Sequence, residues 1–322
     1  MQPHILIIRL SSLGDLVLTI PLLEALRKRY TGARIDLLVK KEYADLAWLF
    51  GFVDEVLAFD TDTEDIAELR QELAENHYNY VLDLHSNLRS KVLRILPHAE
   101  IDIIQKRSFR RWLLVNFKIN LLKDTPDAIG RYFETARDLG VKDEGNAPVI
   151  KTMIQQEKKA AIIPGSKHWN KRWLPEYFIA VASALIKDGY KVEVHGAQDE
   201  KALGDSIVKE FSPQQATNFC GAFTLEEMPA RLASCELAIT NDSGLMHLAA
   251  AVGVKTISIF GPTVREFGFM PRSKDAIVIE NLTLSCRPCT TIGSDHCPKG
   301  HFKCMVDITP QMVIKNISRL SS

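Results

Sequence analysis

Residues 237–263 read Leu-Ala-Ile-Thr-Asn-Asp-Ser-Gly-Leu-Met-His-Leu-Ala-Ala-Ala-Val-Gly-Val-Lys-Thr-Ile-Ser-Ile-Phe-Gly-Pro-Thr. The pattern is a strand end, a tight polar turn, a short helix, a second turn and a buried strand. Asp242 and Ser243 suit a helix N-cap, because their side-chain oxygens accept free amides of the first turn. Gly244 lacks a Cβ and lets a ligand approach the backbone. Gly253 suits the helix C-terminus. The apolar, β-branched run 256–260 is that of a fully buried parallel strand. A helix N-terminus at the carboxyl end of a parallel strand favours anions, since free amides and the macrodipole both point there. The stretch therefore reads as a phosphate or diphosphate site, with His247 one turn into the helix. The competing reading is a capped helix in an ordinary α/β protein.

The same alternation runs outward through the chain. An apolar strand at 4–10 leads into the turn Ser11-Ser12-Leu13-Gly14-Asp15, then an amphipathic helix over 16–30. Strands follow at 34–39, 55–59, 80–84 and 101–104, with helices at 42–50, 63–76, 87–96 and 128–139. Strands alternating with helices imply right-handed crossovers and a parallel sheet. Residues 145–159 lose periodicity and turn polar, which puts a domain boundary there. The pattern restarts with a strand at 160–163, a helix at 176–187, a strand at 190–194 and a helix at 225–233, and closes with a helix at 311–320. The expected organisation is a domain of residues 1–150, a second of 151–308, and a C-terminal helix within 309–322.

Several loops carry candidate chemistry. Successive amides in the Ser-Ser-Leu-Gly turn can form an anion-binding concavity. Asp15 is either a helix cap or a general base, since ligands of open α/β sheets bind at the carboxyl ends of the strands. After the strand at 160–163 comes Pro164-Gly165-Ser166-Lys167-His168-Trp169-Asn170-Lys171-Arg172-Trp173. Gly165 and Ser166 offer amides and a hydroxyl, and Lys167 and Lys171 offer charge; a basic surface loop is the alternative. It is not a Walker loop, whose spacing differs. Asp199 or Glu200 is placed to accept ribose hydroxyls, or simply to start a helix. Arg89 and Lys91 follow one strand. Lys106, Arg107, Arg110 and Arg111 cluster with Phe109 and Trp112, as a solvated face or an amphipathic surface for an anionic substrate or a membrane.

Composition sets the bounds. Lys plus Arg is 40 and Asp plus Glu is 40, so no global charge argues for nucleic acid. No stretch is apolar and long enough to span a bilayer, and the N-terminus lacks a signal-peptide pattern. The expectation is a cytoplasmic protein with reduced thiols. Cys220 and Cys235 stand alone. Cys286, Cys289, Cys297 and Cys304 form a cluster with His296 and His301 nearby, read either as packed thiols or as a structural zinc site.

Four segments together resemble glycosyltransferase family 9, the heptosyltransferases of the lipopolysaccharide inner core. They are Ile-Ile-Arg-Leu-Ser-Ser-Leu-Gly-Asp at 7–15, the Pro-Gly-Ser to Lys-Arg-Trp block, Thr-Asn-Asp-Ser-Gly-Leu-Met-His with Phe-Gly-Pro-Thr, and the Cys-Arg-Pro-Cys segment. The resemblance implies a GT-B fold, two Rossmann-like domains facing a central cleft, with the acceptor bound by the first, an ADP-sugar by the second, and the C-terminal helix within 309–322 packing back across the domain junction. It implies inverting, metal-independent transfer of a heptose to an anionic, lipid-linked saccharide, with Asp15 as general base. Gly14, Gly165, Ser166, Lys167, Lys171, Asp242, Ser243, Gly244 and His247 are then donor-site candidates, Lys171 also catalytic. Arg89, Lys106, Arg107 and Arg110 are acceptor candidates. The acceptor implies peripheral contact with the inner membrane surface. Two alternatives remain: a sugar-nucleotide enzyme of the same fold with a different donor, and a non-catalytic nucleotide-sugar binding protein.

Overall fold

A computed structural model describes residues 2–321. The chain divides into two compact units, one of residues 1–107 and 126–150, the other of 108–125 and 151–322.

The first unit is built on a parallel sheet of β1 (His4–Ile8), β2 (Arg34–Lys40), β3 (Glu55–Phe59), β4 (Tyr80–Asp83) and β5 (Glu100–Ile103), in the order β3-β2-β1-β4-β5. Its helices are α1 (Leu13–Val17), α2 (Ile20–Arg29), α3 (Ala44–Trp48), α4 (Ile66–Glu75), α5 (Leu88–Leu93) and, from the later segment, α7 (Ala128–Thr135). β1 is central and fully buried from Ile5 to Ile8, which explains its unbroken apolar sequence. Successive strands run outward from β1 on one side and then restart on the other with β4. The order therefore reverses between β1 and β4, and ligands of such sheets bind at the carboxyl ends of that strand pair. The helix expected over 16–30 is two helices. Pro21 in the first turn of α2 has no N–H to give the preceding turn, so α1 stops at Val17 and the chain re-enters a helix at Ile20.

The second unit holds a parallel sheet of β6 (Glu157–Ile163), β7 (Lys191–Val194), β8 (Ala216–Asn218), β9 (Cys235–Asn241), β10 (Lys255–Phe260) and β11 (Ala276–Glu280), ordered β11-β10-β9-β6-β7-β8. It carries α6 (Ser108–Phe117), α8 (Pro175–Lys187), α9 (Lys201–Val208), α10 (Met228–Ala233), α11 (Gly244–Ala251), α12 (Lys303–Val306) and α13 (Pro310–Ser321). Pro175 opens α8 at the first helical position, where a missing N–H costs nothing. α8 turns Phe178, Val181 and Leu185 onto Ile162, Val192, Val194 and Ile239, while Val313 and Ile317 of α13 complete this core. Each such side chain contributes roughly 1.5–3 kcal/mol on burial. The helix foreseen at the C-terminus packs on α8 and β10 of its own unit. Gly253 ends α11 at φ +83°, a conformation that disfavours every side chain with a Cβ.

Residues 108–125, which the sequence pattern assigns to the first domain, cluster with the second unit. Leu114 of α6 packs with Leu122 and Phe267, and Arg111 lies over the rings of Phe267 and Phe269. Phe267 and Phe269 stand some 150 residues later in the chain, beyond the reach of local periodicity.

Candidate active site

In the first unit the site grows from the carboxyl end of β1. Ser12 is the N-cap of α1 and Asp15 its third helical residue, so Asp15 closes a capping box instead of capping the helix itself. The Ser12 hydroxyl donates to Asp15 Oδ2 at 2.8 Å and its amide approaches the same oxygen at 3.4 Å. Arg9 Nη2 pairs with Oδ1 at 2.5 Å. Tyr132 of α7 donates to the Asp15 carbonyl at 3.2 Å and stands 3.4 Å from Oδ1. Arg9 is only 8% exposed, lies over the Tyr132 ring and also donates to the Leu84 carbonyl. Burial works against the Asp15 carboxylate, but the Arg9 charge and the Ser12 hydrogen bonds outweigh it, and its pKa lies below the usual range. Asp15 is thus an ionised carboxylate in a fixed orientation.

His85 follows β4. Burial, then the charges of Arg9 and Lys106, lower its pKa to about 4, so the ring is neutral at pH 7. Gly14 is buried in the first turn of α1. Of the acceptor candidates, Arg89 is exposed on α5 and Lys106 is exposed after β5. Arg107 is held by Glu134 through two contacts of 2.8 and 2.9 Å. Arg110 is exposed on α6 in the second unit.

In the second unit the site lies where β9 meets α11. Ser243 stands at the N-cap position of α11 without the side-chain cap hydrogen bond expected there, and the Asp242 side chain before it turns to Lys171 and Thr263. Asn241, fully buried, ties the loop after β6 to this strand: its amide donates to the Pro164 carbonyl at 2.7 Å, and its oxygen accepts the Trp173 amide at 3.0 Å. Arg172 Nε donates to the Ser166 carbonyl at 2.7 Å, which folds the loop on itself. The consequence is that Ser166 Oγ approaches the Asp242 carbonyl at 3.4 Å, and Lys171 Nζ lies 2.6 Å from Asp242 Oδ2. Thr263 donates to the same oxygen at 2.8 Å. His168 is held below its usual pKa by burial and by Lys171 and Lys167, an electropositive neighbourhood. Lys167 is exposed, and His247 is buried in the first turn of α11.

Two residues here carried weak or no sequence signal. Glu200 accepts the Ala197 amide at 2.9 Å. Its carboxylate lies so close to the backbone that a Cβ on Gly165 would meet it at 1.9 Å and one on Gly196 at 2.6 Å. Burial raises its pKa. Asp199 is exposed and Glu200 half-buried. Arg287, with 8% exposure, donates to the carbonyls of Gly261 and Thr263 at 2.5 and 2.8 Å and pairs with Glu280 at 2.8 Å. It fixes the loop that carries Thr263. A lone Arg between cysteines is the only hint the sequence offers.

The cysteine cluster does not present a zinc-ribbon arrangement. Cys304 is buried in the core beside Met305, and burial lifts its thiol to about 12. Cys286 instead approaches His301 Nε2 at 3.9 Å. Among the described residues, the group whose candidate ligand atoms converge within 4.8 Å is Glu193, His195 and Cys235. Glu193 there is already paired with Arg231 at 2.6 Å and Lys159 at 3.7 Å. Burial of α12 in the core thus accounts for Cys304.

A sequence model of glycosyltransferase family 9 (heptosyltransferase) matches residues 66–298. The chain is 26% identical to the lipooligosaccharide heptosyltransferase 2 of Haemophilus influenzae, over 98% of this chain and 99% of that one. A glycosyl transferase family 9 structure from Veillonella parvula is similar with a TM-score of 0.80 and 23% identity, covering 99% of this chain and 97% of that one. The ADP-heptose LPS heptosyltransferase II of Escherichia coli is similar with a TM-score of 0.77 and 22% identity, covering 98% of each. With its two parallel-sheet α/β units, the chain has the GT-B type of fold expected from its sequence.

Proposed function

The chain belongs to glycosyltransferase family 9, and from that premise we propose that it moves a heptose from ADP-heptose to a lipopolysaccharide inner-core acceptor with inversion, Asp15 serving as general base. The name of the Escherichia coli relative, an ADP-heptose LPS heptosyltransferase, supports the donor and acceptor class. The observation that carries the chemistry is the Asp15 carboxylate, ionised and held by Arg9 and Ser12 at the carboxyl end of β1. Inversion takes one displacement at the anomeric carbon. The acceptor hydroxyl loses its proton to Asp15 as the new C–O bond forms and the bond to ADP breaks. Arg9 and Tyr132 act through Asp15, as positioning residues.

The leaving group departs as a diphosphate, so its developing charge must be met. Lys171, Lys167, the Ser166 hydroxyl and the Ser243 and Gly244 amides at the start of α11 supply this, with His247 and Gly165 lining the same region. Asp242 is an anion, and in this reading it orients Lys171 instead of touching phosphate. Glu200 accepts the ribose hydroxyls. Cationic side chains and amides do the work a metal ion does elsewhere, so transfer proceeds in the presence of a chelator. Arg89 and Lys106 meet the anionic acceptor, and Gly14 keeps the turn beside Asp15 compact. The enzyme works at the cytoplasmic face of the inner membrane, in peripheral contact with it.

Thermal denaturation with ADP, UDP and GDP sugars tests the donor, because a ligand of the native state alone raises the melting temperature. Stabilisation by ADP and ADP-heptose, unchanged by EDTA, is expected. Stabilisation by a UDP- or GDP-sugar alone overturns the donor assignment. Product anomeric configuration by NMR tests inversion.

A further inference from the structure

Segment 106–123 carries Lys106, Arg107, Arg110, Arg111, Lys118 and Lys123 and no acidic residue, in a chain whose formal charge is +0. α6 occupies the middle of this segment and is seated on one side only. Leu114 and Val115 pack with Leu122, Phe267 and Phe269, and Arg111 lies over those two rings. Lys118 donates to the carbonyls of Cys286 and Pro288, at 3.0 and 2.6 Å, fixing the end of the helix. The other side is an aromatic ridge in solvent. Phe109 is 69% exposed, Trp112 47% and Phe117 59%, and Ile119 and Leu121 continue it at 49% and 51%. The ring of Trp112 stacks on Phe109 at 6.0 Å and meets Phe117 edge-on at 5.3 Å, so the three rings form one continuous ridge.

We propose that α6 and the residues after it form a docking surface for an anionic lipid bilayer, with Phe109, Trp112, Phe117, Ile119 and Leu121 entering at headgroup depth. Two features select this occupant. Aromatic side chains on a helix flanked by Lys and Arg match the boundary between acyl chains and headgroups. A segment with six basic residues and no acid, Arg107 among them paired with Glu134, is drawn to a negative surface and repels a second copy of itself. The helix lies in the interface, because among the described residues no helix is long and apolar enough to cross a membrane. The inference deepens the proposed function and rests on its lipid-linked acceptor: the surface would hold the enzyme where that substrate resides.

The test is flotation of the full chain with vesicles of phosphatidylcholine, with and without phosphatidylglycerol, in the absence of donor and acceptor. Selective recovery with the anionic vesicles is expected, declining as salt is raised. The variant Phe109→Ser/Trp112→Ser/Phe117→Ser should lose at least about tenfold of that partition, since buried apolar area sets interfacial affinity. It should keep the melting temperature, the stabilisation by ADP and transfer to a water-soluble, lipid-free acceptor. Recovery of the variant equal to wild type overturns the proposal, as does failure of wild type to float. Loss of transfer to the soluble acceptor would make the ridge a saccharide site, and a dimer that the variant abolishes would make it a self-association face; both overturn it. Flotation contains no sugar, so its failure leaves the transferase reading untouched. A wild type that floats but transfers nothing separates the two the other way.

Discussion

Lys171 Nζ stands 2.6 Å from Asp242 Oδ2, with both side chains largely buried, at 13% and 8% exposure. The pair joins the loop after β6 to the start of α11, two elements about 70 residues apart. Thr263 supplies a third contact to the same carboxylate. A lysine so placed is pre-oriented, and the charge it offers costs little reorganisation when a diphosphate departs.

Lys171→Ala should therefore lower kcat/KM for ADP-heptose by about 10²–10³, the range for removing one preorganised charge donor. A loop lysine is ordinarily cheap to remove. This one leaves a buried carboxylate with Thr263 alone, so about 1–3 kcal/mol of stability should go with it. Steady-state kinetics and urea denaturation of the same preparation separate the two effects. A loss of stability with unchanged kinetics would leave Lys171 a structural residue only.

Arg9 controls the ionisation of Asp15. The folded-state pKa of Asp15 is depressed, so the stability it contributes is present above the ordinary carboxylate pKa and is lost as pH falls through the lower folded value. In wild type, an acid limb in kcat/KM above about pH 4 should not come from Asp15. In Arg9→Met the burial of Asp15 is no longer opposed by that charge, and the acid limb should move to higher pH. Superimposable pH profiles of the two proteins would remove Arg9 from this role.

Gly165→Ala is a geometric test of Glu200. The new Cβ would sit 1.9 Å from the Glu200 carboxylate, which is the end of a flexible side chain and can swing away. Stability should change by less than about 1 kcal/mol. The affinity for ADP should fall about tenfold, one lost hydrogen-bonding group at a ribose. Isothermal titration with ADP reads this directly, and undiminished affinity would take Glu200 out of the nucleotide site.

Arg287, 8% exposed, holds the Thr263 loop through the carbonyls of Phe260, Gly261, Thr263 and Asn281 and the Glu280 carboxylate. Arg287→Ala removes the donor to the Gly261 and Thr263 carbonyls and one of the two ion-pair partners of Glu280, leaving Arg265 at 3.1 Å, and should cost about 1–3 kcal/mol. Arg287→Lys should not restore it, because one ammonium cannot reproduce a planar fork that reaches several acceptors. Denaturation midpoints of both variants check the claim, and full recovery in the lysine variant would contradict it.

The α/β alternation was legible because buried parallel strands leave unbroken apolar runs, as β1 and β10 do. β8 was not, since three residues of Ala-Thr-Asn carry no period. The break between α1 and α2 was written in Pro21, but a proline near a helix start reads equally as a first-turn residue. Asp15, Lys171 and Asp242 stood out through local turn chemistry. Their partners did not: Arg9 meets Tyr132 across a long sequence separation, and Thr263 meets Asp242 across a β-α-β unit. Tertiary contacts of this kind have no local pattern. The exception in hindsight is Arg9, a charge at the end of an otherwise apolar strand.

The central claim is that Asp15 accepts the proton of the acceptor hydroxyl. The most direct measurement is turnover of ADP-heptose by Asp15→Asn, alongside the thermal shift produced by ADP in the same variant. General-base catalysis is worth about 10²–10⁴ in rate, and asparagine keeps the shape without the basicity. The account predicts a loss of that size in kcat with the ADP shift retained. Turnover within a few-fold of wild type would contradict it and require another group to take the proton.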